Sequence, residues 1–157
     1  LNLTNNAPRE TFLSRYQSVP EPLWSQIYDH FSNNDLRTWA QDLGQETFVS
    51  SGQKVFPASM KAAPLLRAWV QRIKQDGGTL QVQHALRHVN PSNGQYILTF
   101  DTPSGSTTYT FDKVVFAMGG ASWPQTGSDG RWTSFFQNLG VTIAPLQAAN
   151  CGWETNW

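Results

Sequence analysis

The chain has a single cysteine, Cys151, among its 157 residues. An intramolecular disulfide is therefore excluded and nothing points to an oxidising compartment. The thiol has no charged neighbours and no local base, so it reads as a small hydrophobe rather than a nucleophile. No apolar run reaches the roughly 18 residues that a membrane-spanning helix needs, and the polar residues 1–6 do not form a secretory leader. Cytoplasmic localisation, with no membrane partner, is the expectation. Charge is also sparse: 14% of residues are charged, eleven basic against eleven acidic. Without a dense Lys/Arg stripe, a dedicated nucleic-acid binder is disfavoured.

Motifs are missing too. There is no G-x-G-x-x-G and no G-x-x-x-x-G-K-[ST], so the chain by itself lacks the amides that hold a dinucleotide pyrophosphate. His30, His84 and His88 are the only histidines, and none has the H-E-x-x-H context of a metal site; no metal is expected. No Gly-x-Ser-x-Gly elbow supports a serine nucleophile. Asp101, Asp112 and Asp129 occupy turn and strand-edge positions where Asp is ordinary. No residue qualifies as a catalytic acid, base or nucleophile, and the catalytic residues stay unknown at this point.

What remains is a globular composition, 39% hydrophobic, with seven tryptophans. Trp favours half-buried surfaces and interfaces, so the excess fits ligand or inter-domain contact as well as plain core use. Residues 2–7 form a polar turn-forming stretch. A short helix is expected from Pro8, with Phe12, Leu13 and Tyr16 on one face, stopping before Pro20. A second helix starts at Pro22, with Leu23, Trp24, Ile27 and Phe31 at helical spacing. Asn33 or Asn34 caps a third, whose stripe is Leu36, Trp39, Ala40 and Leu43, and Gly44 stops it. Residues 46–50 and 54–56 read as a hairpin around Ser51-Gly52. The longest helix lies between Ser59 and Asp76, with Ala63, Leu66, Val70 and Ile73 inward, Pro64 in its first turn and Gly77-Gly78 after it.

From Thr79 the period changes to two. Residues 80–82 read as a strand that 86–89 continue or restart, 90–94 as a turn, 96–100 as a strand, 103–105 as a turn and 107–111 as a strand. This antiparallel meander leads into residues 114–118, an apolar run of the kind buried on both faces of a sheet, which ends at Gly119-Gly120. Such a meander can replace the helix in a crossover between parallel strands. The glycine pair is either an ordinary tight turn or a place where a ligand approaches the backbone. Asp129 precedes a last helix over 131–138 and either caps it or leaves its amides to a phosphate; capping is favoured. Residues 141–144 suit one more strand.

Several pieces taken together resemble bacterial flavoproteins of the HI0933-like class, and more closely a subgroup of NAD(P)/FAD-dependent oxidoreductases. They are Leu1-Asn2-Leu3-Thr4-Asn5, residues 43–49, Val55-Phe56-Pro57, Lys61-Ala62 with residues 65–69, and residues 117–124 with Gly127-Ser128-Asp129-Gly130. Pro145-Leu146 and Ala149-Asn150-Cys151-Gly152 close the match. No single motif is specific; their collinearity over nearly the whole chain carries the resemblance.

The resemblance implies an α/β flavoprotein with two dinucleotide folds, of which this is an internal fragment: α+β in isolation, with a helical subdomain over 1–44. Residues 45–157 would be a partial FAD-binding-type region, in which the long helix and β-meander crossover lead into a buried parallel-type strand. The pyrophosphate-binding loop would lie upstream of Leu1, and further sequence would follow Trp157. The flavin contacts it implies are Gly119, Gly120, Ala121 and Ser122 on one side and Asn2, Thr4 and Asn5 on another. The partners implied are the remainder of the parent chain, NAD(P)H and a small-molecule substrate. Lys54 stands where related sequences carry Arg, keeping the charge but not the bidentate geometry. The fragment alone is expected to bind FAD weakly or not at all and to be inactive. The competing reading is an autonomous, non-catalytic Trp-rich binding or interaction module.

Overall fold

The computed structural model describes residues 2–16, 20–121, 124–127 and 129–147. The chain divides into two units, Leu1–Leu80 and Gln81–Trp157, and each is α/β in content. The first holds β1 (Thr4–Asn5), α1 (Arg9–Leu13), α2 (Glu21–His30), α3 (Asn33–Asp42), β2 (Thr47–Val49), β3 (Lys54–Pro57) and α4 (Ala62–Gln75). The second holds the strands β4 (Ala85–Ser92), β5 (Gln95–Thr102) and β6 (Gly105–Phe111), a 3-10 turn at Pro124–Thr126, and α5 (Trp132–Asn138).

In the first unit, β3 is the middle strand of a three-stranded antiparallel sheet, flanked by β1 and β2. Its central Val55 is fully buried, as a β-branched residue on an inward face should be. Residues 2–7 are thus more than a turn, because β1 pairs Thr4 with Val55 and Asn5 with Lys54. Polar side chains are no bar to a strand when a neighbour offers a free edge. The expected hairpin 46–50/54–56 is present, with Phe48 opposite Phe56.

The third helix is capped one residue earlier than Asn33. Ser32 accepts from the Asp35 amide, and the Asp35 carboxylate accepts from the Ser32 amide, completing a capping box. In α4 it is Leu65 that is buried, whereas Leu66 is 56% exposed, so the inward face is rotated from the one expected. Pro64 does lie in the first turn. After Asp76, Gly77 takes a φ of +82° and Gly78 N–H donates to the Ile73 carbonyl at 2.8 Å, which stops the helix as a left-handed cap.

In the second unit the meander forms in the order β4-β5-β6, all antiparallel, around the buried Leu98. Residues 80–82 are not a strand. The turn expected over 90–94 shrinks to Asn93-Gly94, because β4 runs through Pro91 to Ser92, pairing Pro91 with Tyr96. A proline is tolerated there since β4 is an edge strand with one free side. Asn93 and Gly94 both have positive φ, 50° and 77°, as a two-residue hairpin turn of matching twist requires.

Residues 114–118, expected as a buried parallel-type strand, carry no strand pairing, and Val115 is 91% exposed. The reason is physical: a strand exists through its ladder, and among the described residues no segment pairs with this one. Residues 141–144 form no strand for the same reason.

Candidate functional site

The first unit assembles one group of expected site residues through a buried amide. Asn33, 5% exposed, donates from Nδ2 to the carbonyls of Asn5 (2.7 Å) and Ala7 (3.1 Å) and accepts at Oδ1 from the Tyr28 hydroxyl at 2.7 Å. The two carbonyls fix which end of the amide is nitrogen. Leu3 N–H donates to the Val55 carbonyl and Asn6 N–H to the Gln53 carbonyl, both at 2.7 Å. Residues 2–6 are therefore held from both sides, by β3 and by the start of α3.

Asn5 Oδ1 accepts from the Ala7 amide at 2.9 Å, an Asx turn that spends the oxygen on the chain's own bend. What Asn5 keeps for a ligand is its amide nitrogen. Arg37 donates to Asn6 Oδ1 at 3.2 Å and to Thr47 at 3.3 Å, tying the segment to β2. Asn2 is exposed, Thr4 and Asn5 are partly so, and Lys54 is exposed directly across the ladder from Asn5. Thr4 and Asn5 thus lie on β1, with Lys54 opposite Asn5 on β3 and Asn2 two residues before the strand.

The second unit carries the other group. Gly119 has a φ of +69°, a conformation in which a side chain is strained. A Cβ on Gly120 would meet nothing within 4 Å. Gly119 and the residues just before it, Phe116, Ala117 and Met118, wall a cavity of about 630 Å³ whose other walls are α5 and residues 141–144. Its lining is mostly apolar, with Phe116 and Phe136 edge-to-face at 4.9 Å. Trp132 lines the same cavity, and its Nε1–H is buried with no acceptor. Ala121 is held by a close approach: a Cβ on Gly130, itself at φ +73°, would stand 2.9 Å from the Ala121 Cβ. Ser122 lies outside the described residues.

Asp129 accepts from the Arg131 backbone N–H at 3.1 Å and from the Arg131 guanidinium. These bonds hold its carboxyl below the usual carboxylate range, the backbone bond first and the side-chain bond second. Arg131 itself is the N-cap residue of α5, without a side-chain cap bond. The carboxylate therefore binds the turn leading into the helix rather than capping it directly.

Sequence reasoning missed Asn33 and Trp132 as site-building residues. For Asn33 the pattern pointed to a helix cap, and only the tertiary partner shows its second use. For Trp132 nothing in the pattern marks an indole whose N–H lacks a partner. Of the tryptophans that are described, Trp39 and Trp69 pack edge to face at 5.4 Å, while Trp24 and Trp132 are partly buried. Trp123, Trp153 and Trp157 lie outside the described residues. No helix among the described residues is long and apolar enough to cross a membrane, and no group of three or more His, Cys, Asp and Glu converges there to hold a metal.

A family model, the HI0933-like protein Rossmann domain, matches residues 1–152, which include both groups of residues above. The chain therefore belongs to the HI0933-like Rossmann-domain family, a nucleotide-binding family.

Proposed function

We propose that the chain is a segment of an FAD-dependent oxidoreductase and contributes part of the flavin site. The observation that carries this reading is the cavity beside Gly119, with glycine backbone at positive φ on one wall and the apolar side chains of Trp132 and Phe136 on another. A planar heterocycle suits both features: apolar walls take its faces, and glycine backbone without a Cβ lets its edge come close. The donor set does not suit the pyrophosphate, for which the sequence offers no glycine-rich loop. The residues therefore fit the ring side of a dinucleotide, with the phosphates held by other parts of the parent chain.

On this reading Gly119, Gly120, Ala121 and Ser122 of the second unit let the cofactor approach the main chain, and Asn2, Thr4 and Asn5 are the first unit's own flavin contacts. Asn5 would use its Nδ2, since its Oδ1 is committed to Ala7. Residues 114–118 would gain their ladder from strands of the parent chain, which would also cover the exposed Val115. The bound flavin supplies the redox chemistry, while protein groups position it and tune its electronics. NAD(P)H and a small molecule would be its donor and substrate, in the cytoplasm.

The test is the absorption spectrum of the parent protein purified with FAD: two oxidised-flavin bands that bleach when NADH or NADPH is added. A parent protein that carries no flavin overturns the proposal. The 157-residue chain alone should show no submicromolar FAD binding, because the pyrophosphate contacts are not in it.

A further inference from the structure

The meander of the second unit has two outer strands, and they are finished differently. β4 is blunted: Pro91 offers no main-chain N–H, the register slips between Leu86 and His88, and Arg87 and His88 are exposed on it. Proline, irregular register and charge are the devices that keep a sheet edge from pairing with another chain. β6 has none of them. Gly105–Phe111 contains no proline and no charged side chain, its pairing with β5 runs without a slip, and all of it but Thr107 is exposed.

The turn before β6 decides which of its main-chain groups face outward. Pro103-Ser104 is a two-residue turn, so Thr102 and Gly105 beside it form a hydrogen-bonded pair. Bonded pairs alternate along an antiparallel ladder, so Gly105, Thr107, Tyr109 and Phe111 bond to β5. Ser106, Thr108 and Thr110 direct their amides and carbonyls the other way, where they meet no main-chain partner among the described residues. The side chains divide in the same sense. Tyr109 and Phe111, with rings 6.2 Å apart and both exposed, share the face of Leu98 and Phe100, while Ser106, Thr108 and Thr110 lie on the opposite face.

Laid antiparallel against itself about a two-fold axis at Thr108, β6 is its own complement. Ser106 then exchanges main-chain bonds with the partner's Thr110, and Thr108 with the partner's Thr108. On the apolar face Tyr109 meets the partner's Thr107, an aromatic beside a β-branched residue, and Phe111 covers the partner's Gly105. On the other face hydroxyls meet hydroxyls, and no like charges are opposed. Cross-strand pairs of these kinds stabilise antiparallel sheets. We propose that the outer edge of β6 is the interface for a second copy of this chain, which joins two meanders into one continuous sheet. The two-fold arrangement uses the free edge of both copies, so it closes at a dimer. It stands whether or not the parent protein is a flavoenzyme.

The experiment is sedimentation of the 157-residue chain from about 10 μM to about 1 mM, with hydrogen exchange measured over the same range. The mass should rise from monomer to dimer. The amides of Ser106, Thr108 and Thr110 should exchange more slowly as concentration rises, while those of Thr107 and Tyr109, already bonded to β5, should not change. Thr108→Pro removes a donor at the axis from both copies and should weaken the dimer about tenfold or more. Thr108→Lys and Thr108→Glu each oppose like charges at the axis and should weaken it about three- to fivefold at low salt; mixed together, they should pair at least as well as the unaltered chain. A chain monomeric at about 1 mM, growth beyond a dimer, exchange at 106, 108 and 110 that ignores concentration, or a mixture no tighter than either variant each overturns the proposal. The exchange is read on the unaltered chain, so it decides the matter even if Thr108→Pro fails to fold.

Discussion

Replacing Asn33 tests whether one buried amide holds the residue 2–7 segment in place. The side chain makes three hydrogen bonds at 2.7, 2.7 and 3.1 Å in a site 5% exposed. Each is worth about 1 kcal/mol net, and truncation leaves two carbonyls and a hydroxyl partly buried without partners, so Asn33→Ala should cost about 2–4 kcal/mol. Against a total stability of about 5–15 kcal/mol for a domain, that is a large share. Asn33→Asp should be worse than Ala by at least about 1 kcal/mol, because a carboxylate has no donor for the carbonyls of Asn5 and Ala7 and faces them with negative charge. Tyr28→Phe should cost about 1 kcal/mol alone and little in the Asn33→Ala background, so the pair should couple. Urea-unfolding midpoints give all four values, and hydrogen exchange at the Leu3 and Asn6 amides reports the local effect. Asn33→Asp as stable as Asn33→Ala, or strictly additive effects with Tyr28, would refute the assigned roles.

Gly130 and Gly127 separate backbone strain from crowding. Both have positive φ, +73° and +87°, but only at Gly130 does a Cβ meet atoms, Ala121 Cβ at 2.9 Å and Leu146 Cδ1 at 3.0 Å. Gly127→Ala should cost about 1 kcal/mol and Gly130→Ala about 2–4 kcal/mol in urea unfolding; equal costs would contradict the packing. The first unit should also lose stability in acid. Ser32 lowers the Asp35 pKa through its side-chain and backbone bonds, and the Arg9 guanidinium lowers that of Asp29. A carboxyl lowered in the folded state contributes fully above its unfolded value of about 4 and loses that contribution as pH falls through the folded value. Unfolding midpoints should therefore fall below about pH 4, less steeply in Asp35→Asn, and midpoints flat down to about pH 2 would rule the linkage out.

The elements that could be read from the sequence are those whose cause is local. Turn chemistry marks a turn within residues 90–94, of which the structure keeps Asn93-Gly94, and Pro64 and Gly77 bound the long helix. Elements whose cause is a distant partner were misjudged. Residues 4–5 form a strand because β3 offers an edge, not because Thr and Asn favour one. The inward face of α4 centres on Leu65 rather than Leu66 because the neighbouring elements, not the helix period alone, decide which side is covered. Gly119-Gly120 reads from the sequence as either a tight turn or a place of close approach, and spacing gives no sign that Trp132 lines the same cavity as Gly119.

Residues 114–118 show most clearly what a pattern specifies and what it cannot supply. A run such as Val114-Val115-Phe116 states that both faces are to be covered, and its main chain needs partners on both edges. Here Val115 stands 91% exposed while Phe116 packs against Phe136, so one face has found its neighbour within the unit and the other has not. If the flavoprotein reading is right, adding the parent chain's strands should protect the amides of residues 114–118 from hydrogen exchange and bury Val115. The Phe116 contact and the cavity beside Gly119 should stay in place. Protection confined to the meander, with 114–118 exchanging as fast in the parent protein as in this chain, would mean that the apolar run serves α5 alone.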